Sequence, residues 1–78
     1  MKANLCGKRV KVARVAKEMK QVDLSAAFSV DFEMEISQKA ISRLEVGIRP
    51  VTDIELVALS KILDVSVNWL LFGDKQPA

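Results

Sequence analysis

Ile36-Ser37-Gln38-Lys39-Ala40-Ile41-Ser42-Arg43-Leu44-Glu45, closed by Val46-Gly47, constrains this chain more than any other stretch. Ile36, Ala40, Ile41 and Leu44 recur at the spacing of one helix face. The opposite side carries Ser37, Gln38, Lys39, Ser42 and Arg43, all hydrogen-bonding or cationic and none acidic. A helix so divided packs one side on a core and offers the other to a groove rich in donors and acceptors, as nucleic acid presents. Gly47 falls where a helix ends in a left-handed residue.

The chain has 78 residues, room for one small domain, and 50% of them are hydrophobic, enough for a core without staples. Its single cysteine, Cys6, has no internal partner, and there is no histidine. A thiolate–imidazole metal site is therefore not expected, and no cofactor is. Cys6 reads as a small buried hydrophobe. With no spanning apolar run and no secretory pattern, the expectation is a soluble cytoplasmic protein without membrane contact.

Net charge is only +2, yet the charges are segregated. Residues 1–20 hold Lys2, Lys8, Arg9, Lys11, Arg14, Lys17 and Lys20 against Glu18 alone. Residues 21–35 hold Asp23, Asp31, Glu33 and Glu35 with no base. A basic segment in a nearly balanced chain points to a localised anionic partner, with a solvated lysine-rich helix as the alternative.

Five helices are expected, at about 5–19, 21–30, 36–45, 52–63 and 66–71. Cys6, Val10 and Ala13 give the first an inward face, widened by Val12, Val15, Ala16 and Met19. Leu24 and Phe28 point the second inward, and Ser25, Ala26 and Ala27 permit close approach of another helix. Val30, Phe32 and Met34 alternate with Asp31, Glu33 and Glu35, a strand signal. A lone strand is unstable, so a helix end plus turn is preferred. Thr52 with Glu55 forms a capping box for the fourth helix, which is expected to bury Ile54, Leu56, Val57, Leu59, Ile62 and Leu63 in part. Asp64 takes the next turn, Ser66 caps the fifth helix, and residues 74–78 read as a frayed tail.

In this order the motifs resemble the Cro and phage-repressor type of helix-turn-helix domain, the XRE family. Gln21-Val22-Asp23-Leu24 looks like the start of that family's second helix. Residues 36–47 look like its recognition helix and the following glycine. Val51 to Leu56 and Leu63 to Leu70 are similar to its fourth and fifth helices. The resemblance implies an all-α, five-helix lambda-repressor-like DNA-binding domain. One departure stands out: Ser29 to Glu35 lengthens the usual short link between helices two and three, as in a subgroup that this chain looks like. Asp31, Glu33 and Glu35 are expected to point away from phosphate.

The resemblance also implies roles. Gln38, Lys39 and Ser42 become base readers in the major groove, Lys39 alternatively touching only phosphate. Arg43 reaches base or backbone, or pairs within the helix. Gln21, Ser37 and Arg49 are phosphate candidates, with Lys8, Arg9 and Lys11 adding diffuse attraction. Arg14 and Glu45 match a structural ion pair. Trp69, Leu70 and Phe72 form either core or a patch for a homodimer partner. The expected activity is regulation of transcription as a dimeric repressor on a palindromic operator in duplex DNA. The rival is a protein-interaction module, antitoxin-like or a sensor's partner, docking through the apolar C-terminal helix. Catalysis is not expected.

Overall fold

The computed structural model describes residues 2–74 and contains five helices among them: α1 (Gly7–Ala16), α2 (Gln21–Phe32), α3 (Gln38–Glu45), α4 (Asp53–Leu63) and α5 (Val67–Phe72). Of the expected tail at 74–78, residues 75–78 lie outside the described residues. α2 and α3 form the helix-turn-helix, α1 crosses α3, α4 and α5, and α4 backs α2. One core joins them, built from Cys6, Val10, Ala13, Leu24, Phe28, Ile36, Ile41, Leu44, Ala58, Leu59, Leu63 and Leu70.

Helix ends follow local chemistry. α1 begins at Gly7 rather than near residue 5 because Asn4 Oδ1 accepts the Gly7 N–H at 2.8 Å. The Asn4 amide also donates to the carbonyls of Leu44 (3.0 Å) and Arg49 (2.8 Å), tying the head of α1 to the end of α3. Gly7 is packed so closely there that a Cβ would collide with the Leu44 carbonyl. α1 stops at Ala16 rather than at residue 19. Glu18 is left-handed (φ 57°), and the Met19 N–H returns to the Arg14 carbonyl at 3.1 Å. This is a Schellman closure built without glycine.

α2 runs to Phe32, further than residue 30. Leu24, Phe28 and Phe32 recur every four residues, so the alternating stretch begins as helix and keeps its aromatic on the inward side. Glu33, left-handed at φ 54°, ends it. Residues 33–37 are irregular, and the Ser25 hydroxyl donates to the Ile36 carbonyl at 2.6 Å, holding this link against α2.

Ser37 is the N-cap of α3 and accepts from the Ala40 N–H at 3.1 Å, so Ile36 lies before the helix rather than in it. Its side chain is nonetheless buried in the core. Gly47 (φ 88°) closes α3, with the Ile48 N–H on the Arg43 carbonyl at 3.1 Å. Thr52 and Glu55 make a reciprocal capping box on α4, with bonds of 3.0 and 3.2 Å. Ser66 caps α5 through the Trp69 N–H at 2.9 Å.

The apolar surface departs from the pattern reading at two helices. Val12 and Val15 of α1 are 53% and 57% exposed, and Ala16 is exposed as well. On α4, Ile54 and Val57 are 70% and 48% exposed, because they sit across the helix from Leu59 and Leu63, which reach the core, while Ala58 is buried beside them at its edge. No described helix is long and apolar enough to cross a membrane.

Candidate nucleic-acid interface

α3 presents Gln38, Lys39, Ser42 and Arg43 to solvent, all exposed. Ile41 and Leu44 on its other side are fully buried. An eight-residue helix with that division is held by its back and free along its front. At 100° per residue, positions 38, 39, 42 and 43 share one arc, which makes a single polar surface.

Behind this surface runs a chain of hydrogen bonds. Gln38 Nε2 donates to Gln21 Oε1 at 3.4 Å, and Gln21 Nε2 donates to Glu45 Oε1 at 3.0 Å. Arg14 completes it, with Nε on Glu45 Oε2 at 2.6 Å, Nη2 on Glu45 Oε1 at 3.1 Å and Nη1 on the Met19 carbonyl at 2.7 Å. The Arg14 and Glu45 side chains are only 10% and 3% exposed. The hydrogen bonds to Glu45 raise the already high pKa of Arg14, so this charge is permanent. The network links Gln38, the first residue of α3, to the start of α2 and to α1. Sequence reasoning paired Arg14 with Glu45 by resemblance. It did not place Gln21 between Glu45 and Gln38.

Gln21 opens α2, and the preceding Lys20 N–H is taken by Asp23 Oδ2 at 2.8 Å. Ser37 stands exposed at the head of α3. The N-terminal ends of both helices therefore flank the polar surface of α3, and helix N-termini are suited to anions. Glu35 shares a shallow depression with Ser25, Ser29 and Ser37, which brings one acid of the link close to a phosphate candidate. Asp31, in the last turn of α2, and Glu33, at its C-cap, are exposed.

Two arginines have other work. Arg49 places both terminal nitrogens on Glu55, at 2.9 Å each, and Nη1 also donates to the Pro50 carbonyl at 3.0 Å. Read from the sequence as a phosphate candidate, it braces the α3–α4 loop against the α4 cap. Its guanidinium holds the Glu55 carboxyl below the usual carboxylate range, against the opposing effect of burial. The signal for this pair was an arginine six residues before a capping-box glutamate. Arg9 donates from Nη1 to the Leu71 carbonyl at 3.2 Å, capping α5 rather than facing outward.

The basic surface that remains is better focused. Lys2, Lys8 and Lys11 line an open groove of about 800 Å³ together with Val12, Val15, Gln21, Ser42 and Val46. Lys8 and Lys11 of α1 thus border the polar face of α3. At the far end, Leu70 is fully buried, so it belongs to the core and cannot contribute to an exposed dimer patch. Trp69 is half-buried against the core, and Phe72 is 40% exposed. Burial pushes the Cys6 thiol up, as befits a core residue. No group of three or more metal-ligating side chains occurs among the described residues.

Fold and surface together define a helix-turn-helix protein, and residues 10–70 match the helix-turn-helix family. The chain belongs to the XRE-type helix-turn-helix proteins, a family of DNA-binding transcription regulators. It is 38% identical over 73 residues to the HTH-type transcriptional regulator DicA of Escherichia coli (strain K12). That match covers 91% of this chain and 50% of the relative, so the chain spans about half the length of the protein it resembles.

Proposed function

We propose that this protein binds duplex DNA sequence-specifically, as a two-fold dimer on a palindromic operator, and represses transcription in the cytoplasm by occluding the site it covers. The observation that carries this is the front of α3, four exposed non-acidic polar residues on a helix whose back is fully buried. Gln38 and Lys39, at the N-terminal end, are the principal base readers, through bidentate bonding to adenine and donation to guanine. Ser42 and Arg43 follow one turn on. Gln21 and Ser37 take phosphate at the two helix N-termini, and Lys8 and Lys11 add salt-sensitive attraction along the flank. Two copies would read half-sites about 34 Å apart.

The test is selection of bound sites from a random duplex pool at two salt concentrations, followed by Gln38→Ala and Lys39→Ala. Each substitution is expected to cost about 1–3 kcal/mol and to relax preference at its own base pair. Lys11→Ala should weaken all sequences alike and lower the salt slope by about one. Recovery of no motif, or a motif indifferent to Gln38 and Lys39, would refute the reading.

A further inference from the structure

The exposed arc of α4 has an order of its own. Asp53, Ile54, Val57 and Lys61 are its solvent-facing residues, with Ala58, Leu59 and Leu63 turned to the core. Two aliphatic side chains, 70% and 48% exposed, thus lie between an acid at the N-terminal end and a base at the C-terminal end. Among the described residues neither Asp53 nor Lys61 has an ion-pair partner. Phe32, at the end of α2, joins Ile54, Val57 and Ala58 around a shallow cavity of about 350 Å³ beside this arc. An apolar centre with opposite charges at its two ends is self-complementary under one operation, a two-fold axis through the centre.

We propose that this face of α4 is where a second copy of the chain docks, the two α4 helices packing antiparallel about an axis at Val57. Asp53 and Lys61 are each four residues from Val57, on opposite sides. Antiparallel pairing therefore sets Asp53 against the partner's Lys61 and Lys61 against the partner's Asp53. Val57 meets its own mate, and Ile54 covers the cavity rim beside Phe32. The partial charges of the two helix axes are opposed as well. The α5 surface offers less, because Leu70 is in the core. The contact is small, well under the ~800 Å² per partner of a stable complex. It associates weakly in solution, and bound DNA strengthens it by holding two copies close together. This proposal rests on the dimer reading above and adds the surface and register.

The test is sedimentation equilibrium of the intact chain up to about 1 mM, a range that captures weak association. Asp53→Lys and Lys61→Asp each turn two attractions into two repulsions, and each should weaken self-association about tenfold or more. The Asp53→Lys/Lys61→Asp double variant should recover it to within about threefold. Val57→Cys, with Cys6 buried, should give a disulfide-linked dimer under oxidised glutathione. Circular dichroism checks that each variant folds, and Val57→Cys decides the matter should a charge variant unfold. Self-association indifferent to both single reversals, no recovery in the double variant, or no Val57→Cys crosslink overturns the proposal. None of these readouts uses DNA. Loss of sequence preference in the selection experiment would therefore sink the DNA reading without touching this one.

Discussion

Glu45→Ala should be among the most damaging single substitutions on the polar side of this protein. Glu45 accepts from Arg14 through both carboxylate oxygens and from Gln21 through one, and its side chain is 3% exposed. Its removal leaves a guanidinium that is 10% exposed with the Met19 carbonyl as its remaining acceptor. Breaking a buried pair in this way costs about 3–5 kcal/mol, most of it the desolvated charge left behind. At 78 residues, whole-domain stability is about 4–12 kcal/mol, so the loss is a large share. The unfolding entropy of a chain this long is about 0.16 kcal/mol per kelvin, which converts the cost into a Tm drop of about 18–30 °C. Urea denaturation followed by circular dichroism measures it directly. An Arg14→Met/Glu45→Met double variant should recover most of the loss, because it removes both charges and keeps much of the volume. A cost under about 1 kcal/mol for Glu45→Ala, or a double variant no more stable than the single, would refute the reasoning.

Three further outcomes follow from local geometry. The Glu55 carboxyl is held low by Arg49, so its stabilisation is complete above the unfolded glutamate value of about 4.3 and drains away as pH falls below it. Arg49→Gln should flatten the stability profile in that acid range, as seen by thermal melts at stepped pH. Gly7→Ala should cost about 2 kcal/mol or more in chemical denaturation, since its Cβ meets the Leu44 backbone carbonyl, which cannot swing aside. Glu33→Gly should raise stability by up to about 1 kcal/mol, because Glu33 sits at φ 54°, where glycine carries no steric penalty. A neutral or destabilising result would show that the Glu33 side chain contributes a compensating contact.

The points settled by nearest neighbours were legible in the chain itself. Thr52 with Glu55, Ser66 and Gly47 act within one helical turn, so their cap chemistry can be read residue by residue, whereas Ser37, read inside the third helix, proved to be its N-cap. The division of α3 into a buried back and a polar front was equally visible, because every fourth position carries it. The tertiary structure decided which apolar residues are covered and where long cations reach. Val12, Val15, Ile54 and Val57 are as hydrophobic as the core residues, yet five short helices cannot surround every apolar arc, and these were left facing out. Arg9, Arg14 and Arg49 are chemically alike, and their neighbours in the chain do not say which group each one meets. Their guanidiniums extend far from the backbone, so the partner of each is whichever carboxylate or helix end another segment brings within reach. One reaches the end of α5, one Glu45 and one Glu55. Gln21 was read as a phosphate residue, but the crossing of α2 over α3 also makes it the link between Gln38 and the buried pair. Those partners lie up to 62 residues apart along the chain, a separation at which only packing selects who meets whom.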